Sequence, residues 1–302
     1  MELLQLEFQL QAANSFALPD FKGSTFRGKF GHVLKRTVCI FKGRECGNCE
    51  ISANCPYFKI FQPENEKSQQ VPRPFVLIPP LTRQRFFLPD EKFYVGLVLI
   101  GEGIQYLPYF VYALIRMGEE GIGQDRGRYR VTHVRAVNDR KERIEIYDPE
   151  KQEILNNIEP INSEQFTQKL LPQITLQFYT PTWIKHQGKI TTDLQFPLLL
   201  KAILRRYRSL LAFHGDGVAE KFPIDWDKAE KVEIIQSDLH FRKFNRFSNR
   251  QGRPVPLQGF EGKITYRGEI GPFYPWLKIG EYIHVGKGAV FGMGGYKILN
   301  LK

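Results

Sequence analysis

The chain has 302 residues, of which 42% are hydrophobic and 13% aromatic, so it is long enough for two domains and is not disordered. Its 43 Lys and Arg against 32 Asp and Glu give a formal net charge of +11, which favours a polyanionic partner. The alternating, acidic first ten residues are typical of a strand, not of a signal peptide, and the longest apolar runs are too short to span a membrane. We therefore expect a cytoplasmic protein without a membrane partner.

The first half of the chain predicts the element order βαββαβ. Apolar residues alternate with polar ones over 4–10, which is typical of a half-buried strand. The pattern then predicts structure in the following order: a helix at 24–38, strands at 74–80 and 92–100, a helix at 106–120 and a strand at 128–137. This order is that of a ferredoxin-like unit.

The second half of the chain repeats this order. It predicts a strand at 174–179, a helix at 194–213, strands at 232–241 and 260–266, a short helix at 273–279 and a closing strand at 290–299. Polar residues at 141–171 predict a linker or hairpin between domains at 1–140 and 172–302. The expected fold class is α+β, with two tandem ferredoxin-like domains.

The helix predicted at 24–38 has a cationic side. At about 100° per residue, Lys29, His32, Lys35 and Arg36 lie opposite its apolar side. Histidine can both give and take a proton near neutral pH, so His32 is a candidate general acid or base on RNA. Lys29 and Lys35 would stabilise a charged transition state. The alternative is a solvated helix face with an incidental histidine.

Four cysteines lie within seventeen residues, in a segment that follows this helix. They are Cys39, Cys46, Cys49 and Cys55. The tight spacing, with one Cys-x2-Cys pair, favours a tetrahedral thiolate site over disulfides. We expect a cysteine-rich, metal-binding insertion at 39–72 that holds a structural zinc, with an iron–sulfur cluster as the alternative. Four thiolates leave no open position, so we expect no catalytic metal.

Two glycine-rich, basic segments, 121–130 and 285–297, stand at matching places in the two halves. Glycine lets backbone N–H groups approach a ligand closely, so each segment suits a phosphate group. His284 directly precedes the second segment and is a second candidate for proton transfer.

RNA contacts are predicted from these segments, the helices and one strand. Residues 240–250 interleave three phenylalanines with four cationic residues, which suits bases and phosphates, although core phenylalanines are the alternative. The residues predicted to bind RNA are Arg36, Arg126, Arg128, Arg205, Arg242, Lys243, Arg246, Gly286, Lys287, Gly288, Gly292 and Gly294.

Four segments together resemble a known family. They are Gly-Ser-Thr-Phe-Arg-Gly-Lys-Phe-Gly-His-Val-Leu-Lys-Arg at 23–36, the cysteine segment ending Cys-Pro-Tyr, Thr-Pro-Thr-Trp-Ile-Lys-His-Gln-Gly at 180–188 and His-Val-Gly-Lys-Gly-Ala-Val-Phe-Gly-Met-Gly-Gly-Tyr at 284–296. The set is similar to the CRISPR-associated endoribonucleases of the RAMP superfamily that process precursor CRISPR RNA, in the branch with a four-cysteine insertion. The resemblance spans nearly the whole chain.

This resemblance implies two ferredoxin-like RAMP domains and metal-independent cleavage of CRISPR repeat RNA. The 2′-hydroxyl attacks the adjacent phosphate and leaves a 2′,3′-cyclic phosphate and a 5′-hydroxyl. His32 falls in the helix where many members carry a catalytic histidine. The expected partners are repeat RNA and other CRISPR effector subunits, and the expected state is a monomer or homodimer.

Two other functions remain open. A non-catalytic RNA-binding subunit of a CRISPR ribonucleoprotein would share the charge, the fold and the glycine-rich segments without needing a titrating histidine. A redox or metal-sensing regulator built on the cysteines would require an iron–sulfur cluster.

Overall fold

The computed structural model describes residues 1–41, 46–63, 71–155, 158–215, 217, 222–248 and 253–301. Side chains at 245–248, 253–255, 300 and 301 lie outside this description. The chain divides into two compact units. The first comprises Met1–Ile161 with Phe213–Asp216, and the second comprises Asn162–Ala212 with Gly217–Lys302. Each unit has its own hydrophobic core.

The first unit has a main antiparallel sheet covered by helices. Its strands are β1 (Glu2–Ala12), β2 (Phe16–Ala17), β3 (Phe75–Ile78), β4 (Phe86–Phe87), β5 (Lys92–Ile100), β6 (Tyr129–Val137), β7 (Arg143–Glu145), β8 (Tyr147–Asp148) and β9 (Glu153–Ile154). Its helices are α1 (Gly23–Val38), α2 (Pro56–Phe61) and α3 (Leu107–Glu120). The main sheet has the order β3–β5–β1–β6–β7, whereas β2 pairs with β4 and β8 pairs with β9. With α1 and α3 as crossovers, β1, β3, β5 and β6 form the ferredoxin-like arrangement.

The second unit repeats this arrangement. Its strands, after β10 (Ile161–Asn162) at the boundary, are β11 (Gln173–Thr182), β12 (Lys185–His186), β13 (Lys189–Ile190), β14 (Glu233–Ser248), β15 (Arg253–Arg267) and β16 (Tyr296–Leu301). Its helices are α4 (Phe196–His214), α5 (Trp226–Glu230) and α6 (Tyr274–Ile283). The main sheet has the order β14–β15–β11–β16, so both units place their four repeat strands in the order second, third, first, fourth.

Apolar periodicity explains why these segments fold as they do. On β1, Leu4, Leu6 and Phe8 are buried in the first core, while the glutamine and glutamate residues between them point to the other face of the sheet. On α1, Phe26 and Phe30 face the same core at helical spacing. The helix therefore presents its opposite, polar side away from the sheet.

Several elements differ from the predicted ones, and two of these differences have a clear physical reason. The closing strand, predicted at 290–299, begins only at Tyr296, because Gly292 and Gly294 have positive φ angles that a strand does not adopt. The hairpin of β14 and β15 is longer than predicted and pairs from Glu233 with Arg267 to Ser248 with Arg253. Its distal part is too polar to show the alternation of a half-buried strand.

Within the described part of the chain, no helix combines the length and apolar character that crossing a membrane requires.

Candidate functional site

The outer side of α1 carries an exposed histidine beside an exposed glycine. His32 and Gly28 are both exposed, and a Cβ placed at Gly28 would meet nothing within 4 Å. Gly31 differs, because a Cβ there would overlap the ring of Phe61 on α2. Gly31 is therefore required for helix packing, whereas Gly28 leaves open space next to His32.

A carboxylate that the sequence analysis did not identify holds this side of α1. Glu120, the last residue of α3, accepts from Lys29 Nζ at 2.9 Å and from Arg36 Nη2 at 2.8 Å. Lys29 and Arg36 are seven residues apart, about 10.5 Å along the helix axis, so Glu120 lies over the turn between them. His32 is the exposed residue of that turn, since Val33 is buried. We call this arrangement of Lys29, Glu120 and Arg36 the Glu120 bridge.

The charges of the Glu120 bridge act on one another. Burial alone would raise the pKa of Glu120, but the hydrogen bond and charge of Lys29, with the charges of Arg36 and His32, lower it below its usual value. The carboxylate is therefore ionised at neutral pH. Two cations against one anion leave a net positive charge beside His32, which suits an RNA phosphate.

Lys35 lies on another flank of α1. It is half-buried, and its Nζ lies 5.9 Å from the centroid of the Tyr57 ring on α2. Burial raises the pKa of Tyr57 to about 12, so the ring stays a neutral phenol. The structure thus brings His32, Lys29 and Arg36 around one carboxylate and directs Lys35 towards α2.

The four cysteines lie around one small cavity of about 20 Å³. All four are free thiols, and Cys39 Sγ lies 3.1 Å from the Phe41 carbonyl oxygen. Among the described residues, no three His, Cys, Asp or Glu side chains are grouped so that they could hold a metal ion. The shared cavity and the soft donors suit a thiolate-bound metal, but the ligand grouping is not formed. The zinc site stays a prediction, and residues 42–45 and 64–70 of the insertion lie outside the described chain.

The first glycine-rich segment is a tight turn that displays arginines. Backbone hydrogen bonds of 2.9 and 2.8 Å close the turn between Ile122 and Gly127. A Cβ at Gly127 would overlap the ring of Phe16, so the glycine is needed for packing. Arg126, in the left-handed region with φ 49°, and Arg128 are both exposed, where an RNA phosphate can reach them.

The second glycine-rich segment uses its glycines and amides inside its own unit. A Cβ at Gly286 would overlap the carbonyl oxygen of Trp183. The amide of Lys287 donates to Trp183 O at 3.0 Å and that of Gly294 to Pro181 O at 3.0 Å. The amide of Gly292 donates to a carbonyl within the segment. Close packing therefore accounts for these glycines without a ligand. The Lys287 ammonium lies 4.9 Å from the centroid of the Trp183 ring, and Lys287 is an exposed cation of the segment.

His284 has a structural environment. Its side chain is 0% exposed, Nδ1 lies 2.9 Å from Met293 O, and Nε2 lies 3.3 Å from the Tyr179 hydroxyl. Burial lowers its pKa to about 4, so the ring is neutral at physiological pH. The proton-transfer role predicted for His284 is not supported, because an RNA phosphate cannot reach an imidazole with no exposed surface.

The hairpin of β14 and β15 displays further cations. Arg242 and Lys243 are exposed, and Arg242 Nε lies 3.7 Å from Glu261 Oε2. Phe241 is 49% exposed, so it does not belong to the core. The side chain of Arg246 lies outside the described residues. On α4, Arg205 is exposed.

Arg206, the neighbour of Arg205 on α4, has a different role. Its Nε donates to the carbonyl oxygen of Ile283 at 2.6 Å, at the end of α6. Nη2 is shielded from solvent, and burial lowers the pKa of the guanidinium to about 10. A cation at a helix C-terminus is favourable, so Arg206 stabilises α6 and does not extend the exposed cationic surface.

Comparisons with known proteins cover nearly the whole chain. Residues 1–159, more than half of the chain, match the AF_1859_N family, described as an N-terminal domain. Residues 176–296 match the family of the CRISPR-associated endoribonuclease Cas6. An uncharacterized protein of Archaeoglobus fulgidus is 28% identical over 290 residues, which cover 94% of this chain and 93% of that protein.

Solved Cas6 structures share the fold. A Cas6 product complex matches with a TM-score of 0.60 and 16% identity over 99% of both chains. Thermus thermophilus Cas6 matches with a TM-score of 0.57 and 14% identity over 99% of this chain and 98% of that one. A chain of a partial Cas6–RT–Cas1–Cas2 complex matches with a TM-score of 0.61 and 13% identity over 99% of this chain and 46% of that one.

These similarities confirm the predicted α+β fold of two tandem ferredoxin-like domains. The family matches and the shared fold together account for both units. The chain therefore belongs to the AF_1859_N family, its residues 176–296 match the family of the CRISPR-associated endoribonuclease Cas6, and its fold is that of the solved Cas6 structures.

Proposed function

We propose that this protein is a metal-independent endoribonuclease that cleaves CRISPR repeat RNA in precursor transcripts to give guide RNA. The observation that carries the proposal is the exposed His32 imidazole beside the Glu120 bridge. The match of residues 176–296 to the Cas6 endoribonuclease family supports the substrate class. An exposed imidazole next to a net positive charge has the properties that proton transfer at a phosphodiester requires.

The proposed reaction needs two proton transfers and no external water. The 2′-oxygen forms a bond to phosphorus and loses its proton, while the bond from phosphorus to the 5′-oxygen breaks and that oxygen gains a proton. The products are a 2′,3′-cyclic phosphate and a 5′-hydroxyl. His32 performs one of these transfers as general base or general acid. Lys29 and Arg36 stabilise the charge that develops on the phosphate oxygens.

The proposed partners follow from the family. The RNA would contact the exposed Arg126, Arg128, Arg205, Arg242 and Lys287. One structural neighbour belongs to a complex of Cas6 with RT, Cas1 and Cas2. By analogy, we propose that this chain also associates with other CRISPR proteins.

The substitution His32→Ala tests the proposed site. We expect it to retain RNA binding but to lose roughly 100-fold or more in single-turnover cleavage of a CRISPR repeat RNA, because one proton transfer is lost. His186→Ala, at another exposed histidine, is the matched control and should cleave normally. Gel electrophoresis with end-group analysis measures both the rate and the products, and a 2′-deoxy nucleotide at the scissile position should block the reaction.

Two outcomes would overturn this proposal in different ways. Full activity of His32→Ala would show that His32 is not a catalytic residue, while the proposed nuclease function would still stand. A wild-type protein that binds repeat RNA tightly and never cleaves it would instead favour the non-catalytic RNA-binding subunit.

A further inference from the structure

An aromatic side chain is held in solvent on the first unit. Phe86 is 71% exposed, although its neighbour Phe87 is 1% exposed and stacks on Phe16 with ring centroids 5.2 Å apart. The two residues form β4, and successive strand residues point to opposite faces. Burial of Phe87 therefore forces Phe86 outward. Leu81 and Leu88 are also exposed, so Phe86 belongs to an apolar surface.

The segment that carries Phe86 is fixed at several points. Gln84 Nε2 donates to Phe86 O at 2.7 Å and to Glu91 Oε2 at 2.8 Å, and Leu88 N donates to the same carboxylate oxygen at 2.9 Å. The buried Lys22 donates from Nζ to Thr82 O at 2.9 Å. An exposed ring on such an anchored segment is pre-organised, so a ligand need not order it.

Two arginines lie in the same segment as the exposed ring. Arg83 and Arg85 are exposed within the same segment, and Arg85 Nε lies 3.4 Å from Asp20 Oδ1, an ion pair open to solvent on both sides. Within the described part of the chain, Arg83 forms no ion pair. We call Arg83, Arg85, Phe86 and Leu88 the Phe86 patch.

The first glycine-rich turn brings Arg126 to this region. Strand β2 pairs with β4, so that Ala17 stands opposite Phe86. The amide of Ala17 donates to Asp125 Oδ2 at 3.0 Å, and Arg126 directly follows Asp125 in the turn. An exposed aromatic ring with exposed arginines in its own segment and in a neighbouring turn is suited to single-stranded nucleic acid, because bases stack on the ring and phosphates bind the arginines.

We propose that the Phe86 patch binds a single-stranded segment of the RNA, with a base stacked on Phe86 and adjacent phosphates on Arg83 and Arg85. The proposal deepens the proposed function, on which it rests for the identity of the ligand. Lys22, which anchors the segment, directly precedes α1, and His32 lies about 14 Å along that helix from its first residue. A strand bound at the patch can therefore continue towards His32.

The test measures binding of a 15-nucleotide, fluorescein-labelled oligouridylate by anisotropy, in a His32→Ala background that keeps the probe intact. Phe86→Ala should weaken binding by roughly tenfold or more, whereas Phe86→Trp should retain it, because stacking needs an aromatic face. Tyr112→Ala, at an exposed aromatic residue on α3, is the matched control.

Arg83→Gln tests the phosphate contact. It should lower the slope of log Kd against log salt concentration by about 0.7. Melting temperatures should stay unchanged, since these side chains are exposed.

A second measurement locates the RNA directly. A 4-thiouridine oligonucleotide of the same length should crosslink to the peptide that contains residues 81–88. Binding by Phe86→Ala within twofold of the His32→Ala parent, or crosslinks only elsewhere, would overturn the proposal and leave a protein partner as the occupant of the patch. Cleavage of repeat RNA by the wild-type protein is scored separately. If the wild-type protein never cleaves repeat RNA but Phe86→Ala weakens oligouridylate binding, the RNA-binding role of the patch is supported and the nuclease function is refuted.

Discussion

At the scale of single residues, the two glycines at the centre of α1 are explained by different physical causes. Gly31 permits the Phe61 ring to pack against the helix backbone, so any side chain there would cause a clash. Gly28 has open space around it and lies on the side of His32. In an exposed helix interior, glycine lowers the free energy of unfolding by about 1 kcal/mol relative to alanine. We infer that Gly28 leaves room for the ligand.

Gly28→Ala separates stability from function. We expect the free energy of unfolding to rise by about 1 kcal/mol, because alanine lowers the entropy of the unfolded chain and favours the helix. Cleavage should become slower, because the added methyl group stands where the RNA backbone approaches His32. Thermal melting and single-turnover rates measure the two effects, with Gly31→Ala as a control that should destabilise by about 1–3 kcal/mol. Unchanged cleavage by Gly28→Ala would show that RNA does not approach the helix at this point.

His32 and His284 show which side-chain environments the sequence can predict. The 3.6-residue period places His32 on the polar side of α1, and the structure exposes it there. The sequence could not show that His284 is buried, because its burial depends on Tyr179 and Met293. The fold brings these two residues together from separate parts of the chain. A single sequence shows local periodicity but not which distant groups enclose a side chain.

At the scale of elements, the Glu120 bridge joins the end of α3 to two turns of α1. Both ion pairs share one carboxylate that is only 17% exposed, so they are better shielded than ordinary surface pairs. The helical period could show that α1 has a cationic side and that Glu120 ends α3. It could not show their contact, because the angle and offset between two helices are set by the packing of their cores.

Glu120→Gln should destabilise the protein by about 1 kcal/mol at pH 7, because hydrogen bonds to a charged group are lost. The pKa of Glu120 is lowered from its usual value of 4.5, so its stabilising effect is complete above that value and disappears as the pH falls through the lowered pKa. The difference in melting temperature between Glu120→Gln and wild type should therefore shrink on acidification. Glu119→Gln, at a neighbour with an exposed ion pair to Arg116, should have little effect. An equal loss of stability at pH 7 and at pH 3 would contradict the electrostatic explanation.

The length of a strand decides whether the sequence can predict it. Strand β5 matches its predicted bounds of 92–100 because a long apolar run with β-branched and aromatic residues has a strong signal. Strands β2 and β4 have two residues each, too few for any period, and the Phe86 patch depends on their pairing. The patch therefore became visible only in the structure.

At the scale of the whole molecule, duplication is the property that the sequence predicted most fully. The order of strands and helices is the same in both halves, and two sheets of equivalent strand order result. The additions to the duplicated framework differ between the units. The first has the segment with the four cysteines after α1, and the second has the long hairpin of β14 and β15. Because each unit has a separate core, a change in one core should affect mainly the unit that contains it.

We propose that the thiolates of Cys39, Cys46, Cys49 and Cys55 bind a structural zinc, supported by the cavity they share and by the packing of Cys46 and Cys55 against the first core. Metal analysis should find one zinc per chain, and visible absorption of fresh protein would reveal an iron–sulfur cluster instead. Removal of zinc with EDTA should lower the melting temperature of the first unit, because metal binding is coupled to folding. Below that temperature, EDTA should leave RNA cleavage unchanged, since His32 and not the metal transfers the proton. Loss of cleavage with unchanged melting would instead indicate a catalytic metal and refute the metal-independent mechanism.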